Sequence, residues 1–174
     1  MKTLITQLIL ILFCGTLFAQ SPSGKENIPT SNADFEKEMM SLINAFRKKH
    51  SLGALEWNES LAKAARYHAK DMFEDKYFEH ESYDRVGGKL KKTYNTFDRV
   101  KRFMDAGLFA NSENIGSGYD TPEEMLKSWL NSPGHRKNIL LPHTKYIGVG
   151  YIYAEDDEFG HYWVMDTALK VTKK

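Results

Sequence analysis

Two histidines and one glutamate stand out by the company they keep. His80 lies in YFEHES, Glu113 in SENIG and His135 in SPGHR. Each sits where a periodic segment ends, beside turn or apolar residues, the places where a rigid scaffold tends to carry reactive side chains. Imidazole and carboxylate are donors of an open zinc centre, with water in the remaining position. The same residues have a plainer use, with each histidine hydrogen-bonded in a crevice and Glu113 tying a strand to a helix end. No HExxH, CxxC, Walker loop or GxSxG is present to specify another chemistry. Gly148-Val149-Gly150 reads as a strand with close backbone packing, not a nucleotide loop. His68 shares an apolar stripe with Leu61, Ala65 and Met72 and reads as a core histidine. Trp57, Trp129 and Trp163 read as packing anchors, not a carbohydrate platform.

The elements that must position these groups follow from periodicity. Asn32 caps a first helix to about Lys49, whose face is Phe35, Met39, Leu42, Ile43 and Phe46. A second helix runs from about Asn58 to Glu74, and a third over Thr96–Ala106, stopped by Gly107. Thr121 is the N-cap of a fourth, with Pro122 at N1, Glu123 and Glu124 in its first turn and Trp129 inside. That helix ends before Pro133, and a short one follows over about 135–140. Pro133-Gly134 is expected to be a tight turn that presents His135, braced by Arg136 and Asn138. Near the C-terminus the period changes. Tyr146–Ala154 and His161–Val171 are β-branched and aromatic, and the acidic stretch 155–157 with Gly160 joins them as an antiparallel hairpin. ENIGSG (113–118) is the candidate third strand. Basic residues between Arg85 and Arg102 are interleaved with acids and read as a solvated helix face. Helices first and hairpin last describe an α+β layered domain.

The 174 residues suit one domain behind a leader. Lys2 precedes an apolar run from Leu4 to Phe18, followed by small residues, which is the pattern of a secretory signal peptide over 1–20. The run is short for a membrane span. A polar stretch over 21–31 reads as a linker, leaving the domain at 32–174. The expected compartment is outside the cytoplasm, secreted or periplasmic. Cys14 is the single cysteine and lies in the leader, so the exported chain is expected to be disulfide-free. Phe13 before it argues against a lipid anchor. The 24 Lys and Arg, less Lys2, balance the 23 Asp and Glu. That balance gives no electrostatic case for nucleic acid. No transmembrane segment is expected in the mature chain, which reads as a monomer.

LEWNESLAKAARYHAKDM, YFEHES, SENIGSG, MLKSWLNSPGHRKNIL and YIGVGY occur in an order that resembles the bacterial branch of the CAP superfamily. That family, also called SCP-like, includes cysteine-rich secretory proteins, antigen 5 and pathogenesis-related 1 proteins. The resemblance runs from about Phe35 to Ala168. It implies a three-layer α-β-α sandwich with a small antiparallel sheet and a central cleft lined by two histidines and two glutamates. His80 matches the first histidine, Glu113 the first glutamate and His135 the second histidine. His161 in GHYW is then a decoy on the last strand. The second glutamate is expected three residues after Trp129, where this chain has Ser132. Ser112 replaces a usual glycine, and the family's disulfides are absent.

The resemblance therefore implies a cleft of His80, Glu113, His135 and Ser132. It would bind an unidentified small ligand or a divalent cation, zinc first, held by His80, His135 and Glu113. Two rival readings remain at this point. One is a metal-dependent hydrolase of peptide or envelope polymer. The other is an interaction module with a vestigial cleft.

Overall fold

A computed structural model describes residues 22–171; the leader expected over 1–20, with Cys14, lies outside them. Five helices and six strands follow in the order α1 (Ala33–Lys49), β1 (Glu56–Trp57), α2 (Glu59–Glu74), β2 (Ser82–Val86), β3 (Lys89–Tyr94), α3 (Thr96–Phe103), β4 (Leu108–Ser117), α4 (Pro122–Asn131), α5 (Pro133–Ile139), β5 (Tyr146–Tyr153) and β6 (His161–Lys170). The caps expected at Asn32 and Thr121 form, and Asn58 caps α2 as well. Asn32 Oδ1 accepts from the backbone N–H of Asp34 and Phe35, Asn58 Oδ1 from Leu61, and Thr121 Oγ1 from Glu124. Each satisfies an N–H that the first helical turn leaves without an intrahelical partner.

The sheet order is β1-β5-β6-β4, with β5–β6 and β6–β4 antiparallel and the two-residue β1 parallel to β5. One face packs on α1, α4 and α5 through Met39, Ile43, Met125, Trp129, Ile139, Val149, Trp163 and Met165. The other packs on α2 and α3 through Leu61, Ala65, Ala69, Val100, Ile115, Val164 and Ala168. This is the three-layer α-β-α sandwich. Trp129 is wholly buried and donates to the Ile115 carbonyl at 2.9 Å, so it anchors α4 to β4 as expected. Gly148 and Gly150 let α2 approach the sheet. A Cβ on Gly148 would lie 2.1 Å from Ala62 N, and one on Gly150 2.3 Å from Arg66 N.

Two expectations fail. The basic run after Arg85 is no helix face, because residues 82–94 form the separate β2–β3 hairpin and only α3 is helical. Gly87 and Gly88, at φ 57° and 78°, supply the two left-handed positions that a two-residue hairpin turn needs. Charge alternation hid a strand pair built on Tyr83, Val86, Thr93 and Tyr94. Pro133-Gly134 is likewise not a free-standing turn. Pro133 opens α5 with its fixed φ, where a missing N–H costs nothing. The third strand exists but is longer than expected, spanning ten residues. Residues 22–31 carry no helix or strand yet lie on the domain. Pro22 is buried, Ile28 packs on the α2 side of the core, and Ser31 donates to the Tyr151 carbonyl at 3.1 Å.

Candidate functional site

The site lies at the edge strand β4, where the two helical layers meet. A bulge at Asn111 shifts the β4–β6 register between Ala110 and Ser112. Ala110 and Glu113 thereby both face the α2–α3 layer, a re-aiming that bulges commonly perform. Glu113 is 2 % exposed at its side chain and bridges two partners. Oε1 accepts from His80 Nδ1 at 2.8 Å, and Oε2 pairs with the guanidinium of Arg99 on α3. Arg99 is fully buried and also donates to the His80 carbonyl at 2.9 Å and to Ser82 Oγ at 3.1 Å. One guanidinium thus holds His80 from both ends, at its backbone and through Glu113 at its ring.

His135 comes from the other layer. It sits on α5, half-buried, with its ring centroid 6.5 Å from that of His80. The tie between α5 and β4 is made by amides. Asn114 Nδ2 donates to the His135 carbonyl at 3.1 Å, and Asn138 Nδ2 to the Glu113 carbonyl at 3.0 Å and to Asn114 Oδ1 at 2.9 Å. Asn138 braces this segment as expected, and Arg136 reaches back to His50 and the Phe46 ring of α1. The Glu113 carboxylate does not tie the strand to the segment before His135. Its backbone carbonyl accepts instead from Asn138, which follows His135 on α5. Ser132 is half-buried and caps the α4–α5 junction through its backbone, accepting from Arg136 N at 2.9 Å.

Two further groups belong to the same interior. Asp166 of β6 is the register partner of Glu113 and is fully buried. Among the described residues, no N–H or O–H group donates to either of its oxygens. Burial, and then the charge of Glu113, push its carboxyl well above the usual range. A proton on Asp166 supplies the missing donor between the two acids. Glu113 moves the opposite way. Burial raises it, but Arg99, His68 and His80 outweigh that and bring it to about 2. Arg99 therefore decides which acid is ionised. His68 is fully buried on α2, as its stripe implied. Its Nε2 lies 2.9 Å from the Glu79 carbonyl, and burial and Arg99 lower it to about 3, so it is neutral. His135 is lowered by burial and by His80. Sequence reasoning missed Arg99 and Asp166. Both are charged residues at positions that periodicity would make interior, and that was the available signal.

Glu113, held by Arg99, presents one oxygen to His80. With Glu113 ionised, His80 Nδ1 carries the proton and neutral His80 keeps its lone pair on Nε2, the way a carboxylate commonly orients a histidine toward a metal. His161, by contrast, lies outside the cleft. Its Nδ1 is 2.8 Å from Tyr151 Oη and its Nε2 3.1 Å from Asp120. Among the described residues, three possible ligands converge within 4.8 Å only at Asp71, Asp75 and Asp84. There Asp71 accepts from Tyr77 Oη at 2.5 Å and Asp75 from Arg85 N at 2.9 Å.

Comparison with known proteins gives the family and the fold. The chain is 40% identical over 146 residues to the uncharacterised protein YkwD of Bacillus subtilis, covering 83% of this chain and 51% of that protein. It is 33% identical over 144 residues to the uncharacterised membrane protein YlbC of the same organism, covering 80% and 38%. The chain thus spans about half the length, or less, of these curated relatives. Among solved structures, it superposes on an extracellular SCP-domain protein from Bacillus anthracis with a TM-score of 0.65 and 29% identity, covering 79% of this chain and 41% of that one. An outer surface protein of Borrelia burgdorferi shares the fold at a TM-score of 0.64 and 24% identity, covering 77% and 91%. The pattern of the cysteine-rich secretory protein family, CAP, matches residues 40–167, and the chain belongs to that family.

Proposed function

We propose that this CAP protein is exported and that its cleft holds a divalent cation, zinc first, between His80 and His135, leaving the other positions to a small ligand. The observation that carries this reading is the His80 Nδ1–Glu113 Oε1 bond of 2.8 Å with Arg99 behind it. It fixes the tautomer that leaves His80 Nε2 available. The donor chemistry fits, since His135 is held toward its neutral form and zinc takes neutral imidazole. Two imidazoles on one tetrahedral zinc have ring centroids about 5 Å apart. The rings stand 6.5 Å apart, so the ion would draw them together, and the half-exposed His135 on α5 is the partner free of the Glu113 tie. Glu113 is assigned as the group that orients His80, not as a third ligand, because Arg99 already holds its other oxygen.

The hydrolase reading finds no support in Glu113. A carboxyl brought to about 2 is too weak a base to take a proton from water near neutral pH. Export is supported by the leader pattern and by the extracellular and outer-surface relatives. No described helix is long and apolar enough to cross a membrane.

Calorimetric titration of zinc into chelator-treated protein tests the cleft. Both His80→Ala and His135→Ala should lose binding at least tenfold, about 1.4 kcal/mol. Unchanged zinc affinity in either variant rejects the two-histidine site.

A further inference from the structure

Two exposed surfaces of opposite charge lie side by side, away from the cleft. The first is the tip of the β2–β3 hairpin. Residues 85–92 are exposed throughout, with Val86 at 55 % and Leu90 at 43 % among the most exposed large apolar side chains. Val86 pairs with Lys89, and Leu90 with Arg85, so the two apolar side chains stand on opposite faces of the ribbon, flanked by Lys89 and Lys91. Asp84, opposite Lys91, is the one acid in this pairing. A two-stranded ribbon is marginal in water unless something packs on it. This tip has no core behind it.

The second surface is a cavity of about 510 Å³ between residues 76–78 and the β5–β6 connection. Phe78 and Phe159, 37 % and 41 % exposed, meet across it with centroids 6.0 Å apart. Asp156 and Glu158 are exposed at its rim. The connection is already rigid. Asp157 accepts from Lys76 Nζ at 2.6 Å, from Tyr162 Oη at 2.6 Å and from Phe159 N at 3.1 Å. A prepared wall of this kind loses little conformational entropy on binding.

One side chain joins the two surfaces. Arg85 of the hairpin donates to the carbonyls of Gly88 at 3.1 Å, Asp75 at 2.9 Å and Lys76 at 3.0 Å, and Lys76 lines the cavity. A basic apolar tip therefore adjoins an acidic aromatic cavity on one face. Adjacent patches that complement each other are the requirement for an isologous contact, in which each copy offers both halves.

We propose that this face is a homodimer interface, in which the Val86–Leu90 tip of each copy enters the Phe78–Phe159 cavity of the other, with Lys89 and Lys91 meeting Asp156 and Glu158. It departs from the monomer expected from the sequence and does not depend on the cleft reading.

Sedimentation velocity of the purified protein across a concentration series tests it, in low salt and in molar NaCl. A monomer–dimer equilibrium that weakens at least tenfold in high salt is expected, since exposed charge pairs are screened. Lys89→Glu/Lys91→Glu and Asp156→Lys/Glu158→Lys should each be monomeric alone, with unchanged circular dichroism. Mixed, they should form a heterodimer, because both reciprocal contacts then join opposite charges. A wild type that stays monomeric overturns the proposal, as does association indifferent to both variants or growth past a dimer. Failure of the mixed variants to pair overturns it as well.

Discussion

Glu113 and Asp166 face each other across β4 and β6, two buried carboxyls of which Glu113 is the one ion-paired to Arg99. The arrangement divides one negative charge unequally. Arg99 holds it on Glu113, so Asp166 stays protonated where an exposed aspartate would ionise.

Asp166→Asn should stabilise the protein at neutral pH. A carboxyl raised in the folded state binds a proton that the unfolded chain, with its value near 3.8, has released. Stability is then full below that value and falls as pH rises through the folded one. The amide removes this loss and keeps a donor toward Glu113. The expected gain is present near pH 7 and vanishes near pH 3, read from thermal melts at both values. An equal effect at both pH values contradicts the assignment.

Arg99→Met should destabilise by about 3–5 kcal/mol, because it strands a buried carboxylate. Adding Glu113→Gln to it should recover much of that loss. A double-mutant cycle in urea is the measurement, and simple additivity would show that Arg99 does not compensate Glu113.

His68 sets an acid limit. Its ordinary value of 6.5 is lowered to about 3, so the unfolded chain takes up a proton through this window while the native state resists. Stability from this residue is complete above pH 6.5 and declines as pH falls toward 3, by about 1.4 kcal/mol per pH unit. His68→Gln should flatten that slope in urea titrations at pH 4, 5 and 6. A slope unchanged by the substitution removes His68 as its source.

Gly148→Ala should be severe although the change is one methyl. Its Cβ meets backbone atoms of α2 at 2.1–2.3 Å, which no rotamer change relieves. A cost of about 3 kcal/mol or more is expected. Gly53→Ala, where nothing lies within 4 Å, is the control that should move the melting temperature little.

Local signals in the sequence determined most of the elements. Asn32, Asn58 and Thr121 announce helices because a cap is a contact between near neighbours in the chain. Stripes of 3.6 and 2 residues place Met39, Ile43, Trp129 and Val149 in the core for the same reason. His80, Glu113 and His135 were legible as candidates through their motifs, and the structure brings them together. The β2–β3 hairpin was not, because interleaved charges suit an exposed ribbon as well as a helix face, and Gly87-Gly88 was the only local clue. Tertiary structure alone decided what surrounds the site. Asp166 reaches Glu113 from β6, far along the chain, and Arg99 from the preceding element α3, and the bulge at Asn111 selects the face that meets both. Register and layer packing fix such contacts, and neither leaves a period in the sequence, so the charge pattern of the cleft emerges only once the layers close.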